Sequence, residues 1–215
     1  MGLKHRGKII LVGLIFILLL IGIFAQASDR TYQGKVIDAE TKEPIEGAVV
    51  IAVWWEQRGF FFGSTERFKD VKEELTDRDG RWSIVGPEGY ERKLIPGFLQ
   101  LIGIWATKSP SFIVFKPGYC SWPKGFSIDA CKDKIKPEGT GQIIEGKTIE
   151  LPKLTRREDR LRSCCPSTAS SSSDDPREYR KIKKKQLEFL RLINEERRNL
   201  GLSEYKLYEE LKNEK

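Results

Sequence analysis

The chain has 215 residues, 39% of them hydrophobic and 32% charged, and a formal net charge of +7. That length suits one domain with an appendage. The first 27 residues hold Lys4, Arg6 and Lys8 and no acid, so the rest is weakly basic and too mixed in sign to mark a nucleic-acid binder. The one histidine, His5, lies in this leader. Once the leader is removed, a Ser-His-Asp triad, a Cys-His dyad and a histidine zinc site are excluded.

The leader is "MGLKHRGK", then the uncharged run Ile9–Ala25, then Ala25-Gln26-Ala27. Positive start, apolar run and small-x-small exit predict a signal peptide over 1–27, cleaved after Ala27. The alternative is an uncleaved anchor, because the run is nearly as long as the ~20 residues of a membrane span. In both cases residues 28–215 are exported. They are then periplasmic or secreted, or membrane-anchored outside the cytoplasm.

An exported chain favours disulfides. Its cysteines are Cys120, Cys131, Cys164 and Cys165. A Cys120–Cys131 bridge is the simplest local closure. Pairing Cys164 and Cys165 with Cys120 and Cys131 would instead clamp the following segment onto the domain. Adjacent cysteines rarely bond each other. A zinc site of four thiolates lacks C-x₂₋₄-C spacing.

Residues 28–153 read as short strands. "TYQGKVID" alternates, with Tyr32, Gly34, Val36 and Asp38 on one face. "AETKEPIEG" is a turn, where Pro44 sets φ and Gly47 relaxes it. "AVVIAVWW" is too apolar for a half-exposed strand and belongs at the centre of a sheet. Residues 56–73 read as an insertion. "EELT", "DRDG" and "RWSI" then read as a hairpin. Residues 89–110 form a second, aromatic-rich insertion. "SFIVF" is a strand stopped by Pro117 and Gly118, and "GKTIEL" closes the set before Pro152. Short strands with frequent turns predict an all-β, antiparallel sandwich.

Residues 154–176 read as a Cys/Ser-rich linker, and 177–215 as an amphipathic helix with a charged tail. Tyr179, Ile182, Gln186, Leu190 and Ile193 lie near one side of that helix, with Phe189 and Leu192 widening the stripe. Asp174 or Asp175 with Pro176 signals its start, and Gly201 its stop. The basic run at Lys181 and Lys183–Lys185 reads as a solvated face, since glutamates follow it.

Asp77, Asp79 and Gly80 have the look of a calcium loop. Aligned on Gly80, however, the first ligand position falls on Leu75 and the closing glutamate position on Gly86. A turn explains the residues better, with Asp at its start and Gly at the left-handed position. No metal and no cofactor is expected.

"GKVIDAETKEPIEGAVV", "LTDRDGRW" and "FKPGY" together resemble the carboxypeptidase regulatory-like domain, a transthyretin-like (prealbumin-like) β-sandwich. The matching fold positions include Gly34, Pro44, Gly47, Asp77, Asp79, Gly80, Pro117 and Gly118. The resemblance implies a seven-stranded Greek-key-type sandwich and an accessory, adhesion or assembly role, with no catalytic residue in the domain. Histidine-dependent hydrolases of transthyretin-like fold are not a match, because the mature chain has no histidine.

Candidate functional residues are therefore few. Trp54 and Trp55 are adjacent, so on a strand one faces in and the other out. The outer one could stack on sugar rings, or lie under an insertion. Phe60, Phe61 and Phe62 could meet a partner groove or a membrane, or form a short edge strand or a cap over the sandwich end. The expectation is a non-catalytic binding or structural module of a bacterial cell envelope, with an envelope protein or polysaccharide as partner. No nucleic acid is expected, and a membrane only through residues 9–25 if these stay attached. The alternatives are a carbohydrate-binding module using exposed aromatics, and an enzyme using carboxylates among Glu74, Asp77 and Asp79. Against the enzyme stands the location of those carboxylates on a turn rather than in a cleft.

Overall fold

A computed structural model describes residues 30–60, 63–87, 105–123, 131, 135, 146–164, 166 and 175–214. The described residues are rich in β-structure, arranged as two sheets with a few helices. Strand β1, Thr31–Asp38, is the centre of the first sheet. On one side β4, Arg81–Val85, runs antiparallel to it, with Gly34 opposite Trp82. Gly34 is required there: an added Cβ would lie 2.8 Å from the Trp82 ring and 2.9 Å from the Lys147 carbonyl. On the other side β7, Thr148–Leu151, runs parallel to β1. The expectation of a wholly antiparallel arrangement is corrected at this edge. β7 follows a long connection, and such a crossover lets a strand arrive in either direction.

The second sheet is built on β2, Val49–Phe60. Its partner β3, Gly63–Leu75, pairs with it along the whole length, through an irregularity between Trp54 and Trp55. β6, Ser111–Phe115, pairs with the first half of β2, and β5, Trp105–Thr107, with the second. Residues 56–60 and 63–73, within the stretch read as an insertion, lie in this ladder. Glu56 sits opposite Arg67 and accepts from it at 2.8 Å, and Lys69 reaches the same carboxylate at 2.7 Å. Cross-strand pairs of this kind stabilise a sheet that looks too polar to be one. Within 89–110 the described part begins at Trp105, and it too starts as strand.

The expected "DRDG" hairpin is also corrected. The turn is real, but β3 and β4 belong to different sheets. One Asp77 carboxylate oxygen accepts from the amides of Asp79 and Arg81 at 2.9 and 2.7 Å. Gly80 has φ +73°, and a Cβ there would stand 2.3 Å from the Val36 carbonyl. Thr76 anchors the incoming side: its hydroxyl donates to the Ile45 carbonyl at 2.6 Å and accepts from the Ala48 amide at 2.8 Å.

β2 is buried on both faces. Val50, Ala52 and Trp54 join residues of the first sheet, among them Val36, Trp82 and Ile149, in one core. Val49, Ile51 and Val53 meet Ile182, Phe189, Leu192 and Ile193 from the helical segment in a second core. This explains the unbroken apolar run. Cys120 and Cys131 are bonded to each other inside the first core, so the alternative that clamps the following segment through them is corrected. Cys164 is disulfide-bonded as well, and Cys165 lies outside the described residues.

Among the described residues four helices follow: α1 Arg157–Ser163, α2 Pro176–Lys184, α3 Leu187–Asn199 and α4 Lys206–Asn213. α1 lies within the expected linker and α4 within the expected tail. The expected single helix is broken at Lys185–Gln186. Its start is as read: Pro176 leads, and the Asp175 side chain accepts from the Arg177 amide. Gly201, at φ +72°, ends α3. Among the described residues no helix is long and apolar enough to cross a membrane; the leader lies outside them.

Candidate functional site

Of the residues read as a surface, Trp54 is 1% exposed and packs in the first core, 6.0 Å from the Tyr32 ring. Its place in an aromatic surface is corrected: strand alternation puts Trp54 on the same inward face as Val50 and Ala52. Trp55 is half-buried and meets Phe68 edge-on at 5.9 Å, beside the helix-covered face. Phe60 ends β2. Phe61 and Phe62 lie outside the described residues.

Beyond Trp55, strands β2, β3 and β5 form a charged three-stranded end. The Arg67 guanidinium lies 4.1 Å from the centre of the Trp105 ring and also binds Glu56. Lys108 binds Glu66 at 2.9 Å. Burial pushes the Glu56 carboxyl up, but Lys69 and Arg67 outweigh it and hold the group below its ordinary value. A carboxylate so engaged holds its negative charge at the strand pair. Sequence reading missed this arrangement; the only available signal was the sign alternation at Glu66, Arg67, Lys69 and Asp70.

The turn motifs meet one another. Asp38 accepts from the amides of Glu40 and Thr41 at 2.8 and 3.0 Å and bonds the Tyr119 side chain. Burial pushes its carboxyl up, but these donors and Lys153 bring it below its ordinary value. Burial and the Asp38 charge push the Tyr119 hydroxyl up. Tyr119→Phe is expected to lower stability by about 1.5–3 kcal/mol, the worth of a hydrogen bond to a charged group, as read by urea denaturation. Pro117 and Gly118 form the turn that sets Tyr119. Lys116 donates to the Glu46 carbonyl at 2.7 Å beside Gly47, and Pro44 bridges to Ile37.

The carboxylates considered for catalysis do not converge. Asp77 is tied to its own turn, Asp79 is exposed, and Glu74 lies on β3 opposite Val50. Among the described residues, no group of three or more His, Cys, Asp or Glu could hold a metal.

Among the described residues, Glu73 is a strongly perturbed carboxyl. Burial pushes it up to about 7, with Glu188 adding to the rise, against the amides of Glu188 and Phe189 and the charge of Arg191. A carboxyl that binds its proton more tightly in the folded state favours folding at low pH. Its contribution is full below the usual glutamate range near 4.5 and is lost as pH rises through about 7. Denaturation midpoints taken from pH 4.5 to 8 are expected to show this decline, and Glu73→Gln to flatten it.

No protein-family model and no curated protein matches the chain. Among solved structures, a 9R-lipoxygenase from Cyanothece PCC8801 is similar at 14% identity over 80% of this chain, with a TM-score of 0.28. The chain spans 24% of that structure's length. A similarity of that level carries no argument about fold or activity.

Proposed function

We propose that the chain is a non-catalytic, exported binding or structural module of the cell envelope. In this reading the two sheets form a seven-stranded, transthyretin-like sandwich of the carboxypeptidase regulatory-like kind, with one parallel pair and a helical cover. The observation that carries it is how the motif residues are used. Asp38 engages Tyr119, Asp77 engages its own turn, and Gly80 lies against Val36. All of them are consumed in folding, which leaves recognition rather than catalysis as the role of the surface. The buried Cys120–Cys131 bond supports an oxidising compartment. The partner in this reading is an envelope protein or polysaccharide, met by the charged end around Arg67 and Trp105.

The test is to express the full chain with its own leader in a bacterial host. Fractionation, intact mass and thiol alkylation are then read with and without denaturant. Export with Cys120 and Cys131 unreactive supports the proposal. Then Arg67→Glu is expected to reduce cross-linking of the exported protein to envelope components. A cytosolic protein with reactive thiols, or cross-linking unchanged by Arg67→Glu, would sink it.

A further inference from the structure

The break between α2 and α3 has no cause in its own sequence. Lys185 and Gln186 occupy it, between Lys184 and Leu187. All four are strong helix formers, with neither Gly nor Pro among them. Even so, Gln186 sits at φ −130° and ψ 36°, outside helical geometry. The amides before it make tightened bonds, Lys185 to the Ile182 carbonyl at 3.2 Å and Gln186 to the Lys183 carbonyl at 2.9 Å. Sharp breaks of this kind arise where a side chain enters the i→i−4 ladder.

Here that side chain comes from the sheet. The two carboxylate oxygens of Glu73, on β3, accept from the amides of Glu188 and Phe189 at 2.8 and 2.9 Å. In an unbroken helix those amides would donate to the carbonyls of Lys184 and Lys185. Gln186 does not cap α3 itself; its side-chain amide donates back to the Ile182 carbonyl at 3.1 Å. Asp70, three residues earlier on β3, pairs with Lys185 at the same point. Two carboxylates on one strand thus hold one break.

We propose that residues 176–199 are a two-state element: broken when Glu73 caps α3, and a single continuous helix when that cap is withdrawn. The continuous form recovers two i→i−4 hydrogen bonds in exchange for the two made to Glu73. It also keeps Ile182, Phe189 and Ile193 on one stripe, since they recur at helical spacing. The sheet therefore sets the shape of the helical segment through Glu73, with Asp70 pairing to Lys185 beside it. The geometry is that of a conformational switch between two discrete arrangements. The inference is independent of the function proposed above.

The test uses the full chain and backbone NMR. In the native protein, Cα shifts of Lys185 and Gln186 are expected to be non-helical. In Glu73→Ala they are expected to move to helical values, with the Glu188 and Phe189 amides still protected from exchange. Retention of the native shifts in this variant would overturn the proposal. So would a collapse of residues 184–188 to random-coil shifts. Should Glu73→Ala fail to fold, Glu73→Gln carries the same test. Its side chain retains one acceptor, so the shifts are expected to lie between the two states, and native values would again refute the switch.

Discussion

Replacing Phe189 with alanine is expected to lower the unfolding free energy by about 3–5 kcal/mol, the range for truncating a fully buried aromatic. Phe189 is 0% exposed and meets Phe115 edge-on at 5.9 Å. It stands between the helical segment and the outer face of β2, among Val49, Ile51, Val53 and Val71. Its loss removes apolar contact and leaves a cavity that a stiff sheet cannot close. Denaturant unfolding monitored by tryptophan fluorescence reads the effect. Leu161→Ala, on exposed α1, is the control and is expected to change stability by less than about 0.5 kcal/mol. A loss under about 1 kcal/mol at Phe189 would mean that the helical segment contributes little to the fold.

Arg160→Ala is expected to cost about 3 kcal/mol. Arg160, on α1, forms a two-pronged pair with Glu196 on α3, at 2.8 and 2.6 Å. Glu196 is 2% exposed, so removal of the cation strands a buried carboxylate. The ion pair holds the Arg160 guanidinium above its ordinary value. Arg157 adds a bond to the Leu200 carbonyl at 2.7 Å. A double-mutant cycle with Glu196→Gln separates the pair from the penalty. The double variant is expected to be less damaged than Arg160→Ala alone, because no buried charge remains. Additive losses would show that the two side chains act separately.

The parts of the fold visible in the sequence are those specified locally. The alternation of Thr31–Asp38, the apolar start of β2, the Pro117–Gly118 stop and the Pro176 and Gly201 limits each depend on a few neighbouring residues. What could not be read depends on partners distant in sequence. Asp77 and Gly80 make the same turn whether the flanking strands pair or diverge, and the diverging outcome is settled by where Trp82 and Ile84 find a core. The β3 ladder through residues 63–70 needs its register with β2 before its charges make sense. β7 joins β1 in parallel through a contact more than a hundred residues away. The helix break needs Glu73, also more than a hundred residues away. At the candidate site, alternation foresaw that one of Trp54 and Trp55 turns inward. The stacking of Arg67 on Trp105 needed β5 to be placed against β2.

The two-sided burial of β2 has a consequence for the order of events in synthesis. Val49, Ile51, Val53, Val71 and Phe115 all precede the residues that cover them, Ile182, Phe189, Leu192 and Ile193. Domains form as the chain emerges, N-terminal portions first. Until residue 193 is available, the growing chain carries a bare apolar sheet, a surface prone to self-association. Arrival of the α2–α3 segment thus ends the period in which the growing chain shows that face to other chains.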